Sequence, residues 1–198
     1  MMEWLRHIVR HGLHAVDGFY QRWHRLQRVG PLLFVGQVRY RGPPRQFPDG
    51  TELGPGDVLG ILHFNNARIA ALDAGTPAAI ALGFARLLFE SLRILGDLCR
   101  NDERFREIKA FQGIGWLRHG EQIGFINEPV AEGRRKRFLT AHIGLLVWAF
   151  APRNGTAITA RPEPTVTWLT RAALLRRFGG NRENAQTLLN TAVDARRA

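Results

Sequence analysis

A histidine and two asparagines stand close together in the sequence, at His63, Asn65 and Asn66. A neutral imidazole at the end of a strand can act as a general base, and a nearby carboxamide can orient it or stabilise an oxyanion. These three residues are the candidate catalytic group. Asp57 begins the same strand, but it lies roughly 20 Å back along an extended chain, so it cannot pair with His63.

The same three residues also have a structural interpretation. The asparagines can cap the next helix or bind loop carbonyls, and the histidine can bond a buried backbone group. The position of the three side chains relative to the largest pocket decides between catalysis and structure.

A run of four cations forms the second candidate group, an anion-binding site made of Arg134, Arg135, Lys136 and Arg137. Such a run can contact phosphates or an acidic glycan, and a solvated helix face is the alternative. The aromatic neighbours Phe138 and Trp148 fall within the same predicted helix. We therefore expect them in the core and not on a base-stacking surface.

Three histidines of the first helix, His7, His11 and His14, have a spacing that can bring imidazoles to a metal. They lie opposite the apolar stripe and lack a companion motif, so an exposed polar face is expected and no metal is predicted. Cys99 is alone in the chain, which excludes an internal disulfide and a cysteine-based zinc site. We expect it to be a small core residue.

The segment 120–125, Gly-Glu-Gln-Ile-Gly-Phe, is faintly similar to the ending of many acetyltransferases. The pyrophosphate-cradling motif of those enzymes is missing, and so are the Walker and dinucleotide glycine patterns. No cofactor is predicted.

The first element that must position these groups is a helix over residues 4–28. Its apolar side chains recur at helical spacing and are Leu5, Ile8, Val9, Val16, Phe19, Tyr20, Trp23 and Leu26. We expect this face to cover the sheet. The alternative is a helix lying on a membrane, with Trp4 and Trp23 in or beside its apolar face and arginines around it.

The remaining segments alternate between the two-residue period of strands and the period of about 3.6 residues typical of helices. Strands are predicted at 32–41, 58–64, 108–115, 124–127, 157–160 and 165–168. Helices are predicted at 76–100, 134–150 and 170–178, with Thr76 and Thr170 as N-caps, and a short helical turn at 117–123.

These elements predict a single α+β domain over residues 1–180, followed by a polar tail over 181–198. The economical architecture is a mixed or antiparallel sheet of about four to six strands, covered by three or four helices. Hydrophobic residues make up 45% of the chain and charged residues 23%, which is ordinary for a globular domain.

The charge balance is less ordinary, because 28 basic residues face 17 acids and give a formal net charge of +11. It indicates an anionic partner, namely an acidic polymer, envelope polysaccharide, nucleic acid or a membrane surface. The excess of arginine over lysine by itself is typical of a GC-rich genome. With no signal peptide and no spanning segment visible, we expect a cytoplasmic protein or one peripheral at the inner membrane.

Several short motifs resemble the bacterial YkoP-like family. They are the segment 49–66, the strand Phe-Gln-Gly-Ile at 111–114, the turn at 120–125 and the ending Trp-x-Thr-Arg-x-x-Leu at 168–174, ahead of Arg-Phe-Gly at 177–179. The resemblance spans roughly residues 5–180. It implies a domain that occurs alone or attached to polysaccharide deacetylase modules, with no established activity and no catalytic residues to carry over. The metal-binding motifs of the deacetylase module are absent, so that activity is not expected.

Three functions follow as hypotheses. The first is an accessory or binding domain of the YkoP-like kind, linked to cell-envelope polysaccharide metabolism. The second is a small acyltransferase or acetyltransferase that works through His63 with Asn65 or Asn66. The third is an electrostatic nucleic-acid binder. The sequence leaves open whether the protein is an enzyme and what its oligomeric state is.

Overall fold

The computed structural model describes residues 2–72, 76–115, 120–150 and 163–179. Its strands are β1 (Gln27–Val29), β2 (Leu33–Arg39), β3 (Arg45–Gln46), β4 (Glu52–Leu53), β5 (Val58–Phe64), β6 (Ile108–Gly115), β7 (Ile126–Pro129) and β8 (Thr165–Thr170). Its helices are α1 (Met2–Trp23), α2 (Asn66–Ala70), α3 (Pro77–Asn101), α4 (Glu103–Arg106), α5 (Arg134–Phe150) and α6 (Arg171–Phe178), with a 3₁₀ turn at Gly120–Ile123. The predicted strand 157–160 and the predicted tail 181–198 lie outside the described residues.

Six of the strands form one sheet in the order β1-β2-β5-β6-β8-β7, and β3 pairs with β4 in a separate hairpin. Strands β5 and β6 run parallel, because α2, α3 and α4 connect them, and the other neighbours are antiparallel. The α+β class and the mixed sheet are confirmed. The helices of eight residues or more are α1, α3, α5 and α6, and of these α3 and α6 pack on the core of the sheet.

Helices α3 and α6 cover one face of the sheet. Both begin as predicted: Thr76 Oγ1 accepts from the Ala79 amide at 3.3 Å, and Thr170 Oγ1 accepts from the Ala173 amide at 3.0 Å. Strand β5 alternates, so that one side of it joins this core, whose fully buried side chains include Leu92, Leu95, Phe111, Leu169, Leu174 and Phe178. Burying that apolar area is the main stabilisation of the fold.

The close pairing of β5 with β6 depends on a glycine. A Cβ added at Gly60 would lie 2.2 Å from Cδ1 of Phe111 on the neighbouring strand. The Phe111 ring, which is fully buried, therefore occupies the space that any side chain at position 60 would need.

The opposite face of the sheet is partly covered by the β3–β4 hairpin. Tyr40, Phe47 and Leu53 pack there against Leu59, Ala110 and Trp168. The Trp168 indole Nε1 donates to Glu128 Oε2 at 3.1 Å, and the Arg45 guanidinium lies 4.5 Å from the centre of the Trp168 ring. The indole is therefore both buried and provided with a partner, as its N–H requires.

The first helix differs from the prediction in its length. It ends at Trp23 and not at residue 28, and residues 27–29 form the edge strand β1. The reason is local: Arg25 has a left-handed backbone with φ of 49°, which turns the chain away from the helix axis.

The expectation that the apolar face of α1 covers the sheet is also wrong for its C-terminal half. Val16, Phe19 and Trp23 are exposed at 56%, 65% and 73%, whereas Leu13 and Asp17 are buried. These two residues lie one turn apart on the inner side of the helix. A hydrogen bond from the Asn66 side chain to Asp17 holds this side inward and so fixes the rotation of the helix about its axis.

Within the described residues, none of the helices combines the length and the hydropathy that a membrane span requires.

Candidate functional site

Two of the three candidate catalytic residues meet at a carboxylate. His63 Nε2 lies 3.6 Å from Asp17 Oδ1, and Asn66 Nδ2 donates to Asp17 Oδ2 at 2.8 Å. His63 stands near the end of β5 on the side opposite to Leu62 and Phe64, and Asn66 begins α2. The strand end and helix start therefore face the inner side of α1, and we call these three residues the Asp17 cluster.

Asn65 has a different role. Its Oδ1 accepts from the Arg68 amide at 3.2 Å, and its Nδ2 approaches the Pro31 carbonyl at 3.4 Å. It is the N-cap of α2, as the structural interpretation of the asparagines predicts.

The Tyr20 ring lies beside the imidazole. The Tyr20 ring centre lies 5.2 Å from that of His63 and 4.3 Å from that of His24. Burial raises the pKa of the Tyr20 phenol above its ordinary value, because it disfavours the phenolate. His63 Nε2 is buried and finds no hydrogen-bond partner among the described residues, since Asp17 stands beyond hydrogen-bond distance.

The cavity that borders His63 is small. Its volume is about 20 Å³, and most of its lining is apolar, including Leu33, Leu62 and Phe125. That is room for one water molecule. A second depression, of about 620 Å³, is an open groove at the end of α3 near Asp97, Asp102 and Glu103, and no member of the candidate catalytic group lines it.

The Asp17 cluster has the parts of a carboxylate–imidazole pair, in which the acid orients the base. What it lacks beside His63 is space for a substrate. Sequence reasoning missed Asp17, because the contact joins residues far apart in the chain. One signal was available: Asp17 is the only acid between Trp4 and Val29.

The predicted anion-binding run divides into two parts. Arg134, Arg135 and Arg137 are exposed at the start of α5. Lys136 is partly buried and donates to Glu132. The hydrogen bond to Glu132 raises the pKa of Lys136, against a smaller desolvation effect. Three cations of the run are therefore available to an anion, and the fourth is paired.

Phe138 does not lie in the core, contrary to the prediction. Its side chain is 70% exposed, and its ring stacks on that of His142 with 6.2 Å between the ring centres and 8° between the planes. Buried Ile143 lies five residues on, about 140° around the helix. Phe138 therefore shares the exposed face of α5 with Arg134 and Arg137.

The other sequence candidates bring no further site together. Burial raises the pKa of the Cys99 thiol to about 12, and the residue is fully buried, so it is a core residue as predicted. Nowhere in the described part of the chain do three metal-ligating side chains come together. The side chains of His7, His11 and His14 lie outside that part.

The comparisons with known proteins agree with the motifs in the sequence. A family model described as the YkoP domain matches residues 6–178. The chain is 25% identical over 146 residues to a Bacillus subtilis (strain 168) protein named "Uncharacterized protein YkoP", and the alignment covers 70% of this chain and 80% of that one. No solved structure matches the chain.

Proposed function

The chain belongs to the YkoP domain family, and we propose that it is a non-catalytic accessory domain that binds an anionic polymer in cell-envelope polysaccharide metabolism. The observation that carries this proposal is the exposed face of α5. Arg134, Arg135 and Arg137 stand there beside the flat stacked pair of Phe138 and His142. We call these five residues the α5 face.

The chemistry of the α5 face suits a charged glycan. Guanidinium groups form paired, charge-assisted hydrogen bonds with carboxylates and phosphates. An exposed aromatic ring offers an apolar surface to the face of a sugar ring. The net charge of +11 adds a long-range attraction to any polyanion.

The small cavity beside the Asp17 cluster argues against catalysis at His63. Asp17 accepts the Asn66 hydrogen bond, and the cavity beside His63 holds about 20 Å³. An acyl donor does not fit such a volume. The acyltransferase hypothesis, with His63 acting together with Asn65 or Asn66, stays an untested prediction.

The test is a titration of the chain with a polyuronate oligosaccharide at two salt concentrations. In the variant with Arg134→Gln, Arg135→Gln and Arg137→Gln, we expect at least about a tenfold loss of affinity, because three ionic contacts are removed. Phe138→Ser should weaken binding at both salt concentrations, since a stacking contact is not screened.

The matched control removes the same charge elsewhere, through Arg41→Gln, Arg86→Gln and Arg106→Gln, which are all exposed. It should change the affinity by less than about twofold at moderate salt, where distant charges are screened. An equal loss in both triple variants would show that only net charge matters and would overturn the proposal. Tighter binding of duplex DNA than of polyuronate would favour the nucleic-acid hypothesis instead.

A further inference from the structure

The outer side of α1 carries an uncovered apolar stripe. Trp4, Val16, Phe19 and Trp23 are exposed at 68%, 56%, 65% and 73%. At 3.6 residues per turn they fall within an arc of about 120°, along roughly 28 Å of helix. The Phe19 and Trp23 rings lie 5.8 Å apart at the C-terminal end. We call these four residues the α1 stripe.

The charges around the C-terminal half of the α1 stripe have one sign. Arg22, Arg25 and Arg28 are exposed at its C-terminal end. The only acid between Trp4 and Val29 is Asp17, which is 8% exposed and faces His63 and Asn66 on the inner side of the helix. Over residues 16–28, all of which are described, the exposed surface is therefore apolar and cationic, without an exposed carboxylate.

We propose that the α1 stripe docks the domain on the surface of an anionic lipid bilayer, with α1 lying parallel to the membrane plane. Aromatic side chains on one face of a helix, bordered by arginines, suit the boundary between headgroups and acyl chains. The arginines then meet the negative surface potential of anionic lipids. The docking goes beyond the proposed polymer binding, because it uses a different helix.

The experiment is flotation of the full chain with vesicles of equal parts phosphatidylglycerol and phosphatidylcholine, compared with vesicles of pure phosphatidylcholine. We expect binding to the anionic vesicles, a blue shift of tryptophan fluorescence, and weaker binding at high salt. The double variant Phe19→Ser, Trp23→Ser should lose at least about tenfold in partitioning, because its apolar contact is removed.

The matched control is Val38→Ser, Ile114→Ser, which removes two partly exposed apolar side chains of the sheet. It should bind the vesicles as the unchanged chain does. Circular dichroism and the unfolding midpoint verify that each variant is folded, and Phe19 and Trp23 are exposed enough that little stability depends on them.

Three results would overturn the docking. They are absence of flotation with the unchanged chain, equal partitioning of the double variant and the unchanged chain, and a dimer in sedimentation that the double variant converts to a monomer. The polyuronate titration separates this proposal from the previous one. If docking fails while Arg134-dependent polymer binding remains, only the membrane proposal is lost. If polymer binding fails while docking remains, only the polymer proposal is lost.

Discussion

The hydrogen bond between Asn66 and Asp17 gives the sharpest prediction about stability, because it joins α1 to the start of α2. The atoms are 2.8 Å apart, and the Asp17 side chain is 12% exposed, so solvent screens the contact weakly. A hydrogen bond to a charged group contributes about 1.5–3 kcal/mol. Asp17→Ala should therefore lower the free energy of unfolding by about 2–3 kcal/mol, with Asn66→Ala slightly less severe.

A double-mutant cycle isolates the pair itself. Urea unfolding of both single variants and of the double variant, followed by tryptophan fluorescence and circular dichroism, should give a coupling energy of about 1–2 kcal/mol. The control is Asp97→Ala, whose side chain is 49% exposed and forms a surface pair with Arg93, and it should cost less than about 0.5 kcal/mol. A coupling energy indistinguishable from zero would refute the idea that this bond holds α1 in its orientation.

Three further predictions concern the core. Gly60→Ala should lower the free energy of unfolding in urea by about 3 kcal/mol or more, because its Cβ would meet the Phe111 ring on the neighbouring strand. Gly12→Ala is the control on a helix: its Cβ has open space, so the free energy of unfolding should rise by up to about 1 kcal/mol. Similar effects at both positions would contradict this. Ser91→Ala removes the oxygen that accepts from the buried Leu32 amide at 2.9 Å, and a loss of about 1–3 kcal/mol is expected in the same assay, so an unchanged midpoint would count against it. Burial raises the pKa of Cys99 from 9.0 to about 12, so the folded state favours the thiol. The contribution of Cys99 to stability should therefore be full below pH 9 and fall as the pH rises towards 12. Fast thiol labelling of the folded chain at neutral pH would disprove the burial.

Local signals explain what the sequence predicted well in the fold. The caps at Thr76 and Thr170 depend on a side chain three residues from the amide it accepts from, so a short stretch of sequence contains the whole signal. The residues of β5, Val58–Phe64, are apolar apart from His63, which is typical of an inner strand, and the strand lies between β2 and β6. The end of α1 was predicted too late, since a non-glycine residue with positive φ, Arg25, gives little warning in the sequence.

The site was predictable only in part, because its central contact is long-range. His63, Asn65 and Asn66 were predicted as one group, but Asp17, the common partner of His63 and Asn66, comes from a helix near the start of the chain. The apolar patterns of α1 and α5 posed a second difficulty. Periodicity indicates which side of a helix is apolar, but it does not tell whether another element covers that side, and Phe19 and Phe138 are exposed.

The strand order has a consequence for how the chain is made. Among the described strands, β7 pairs only with β8, and β8 lies between β7 and β6, so β8 enters the sheet between two strands that precede it. During synthesis, β7 lacks this neighbour until residue 170 has left the ribosome, and the edge of β6 that pairs with β8 stays open for the same time. A pause in translation before that point would leave a nascent chain with two open sheet edges, which is a state that chaperones recognise.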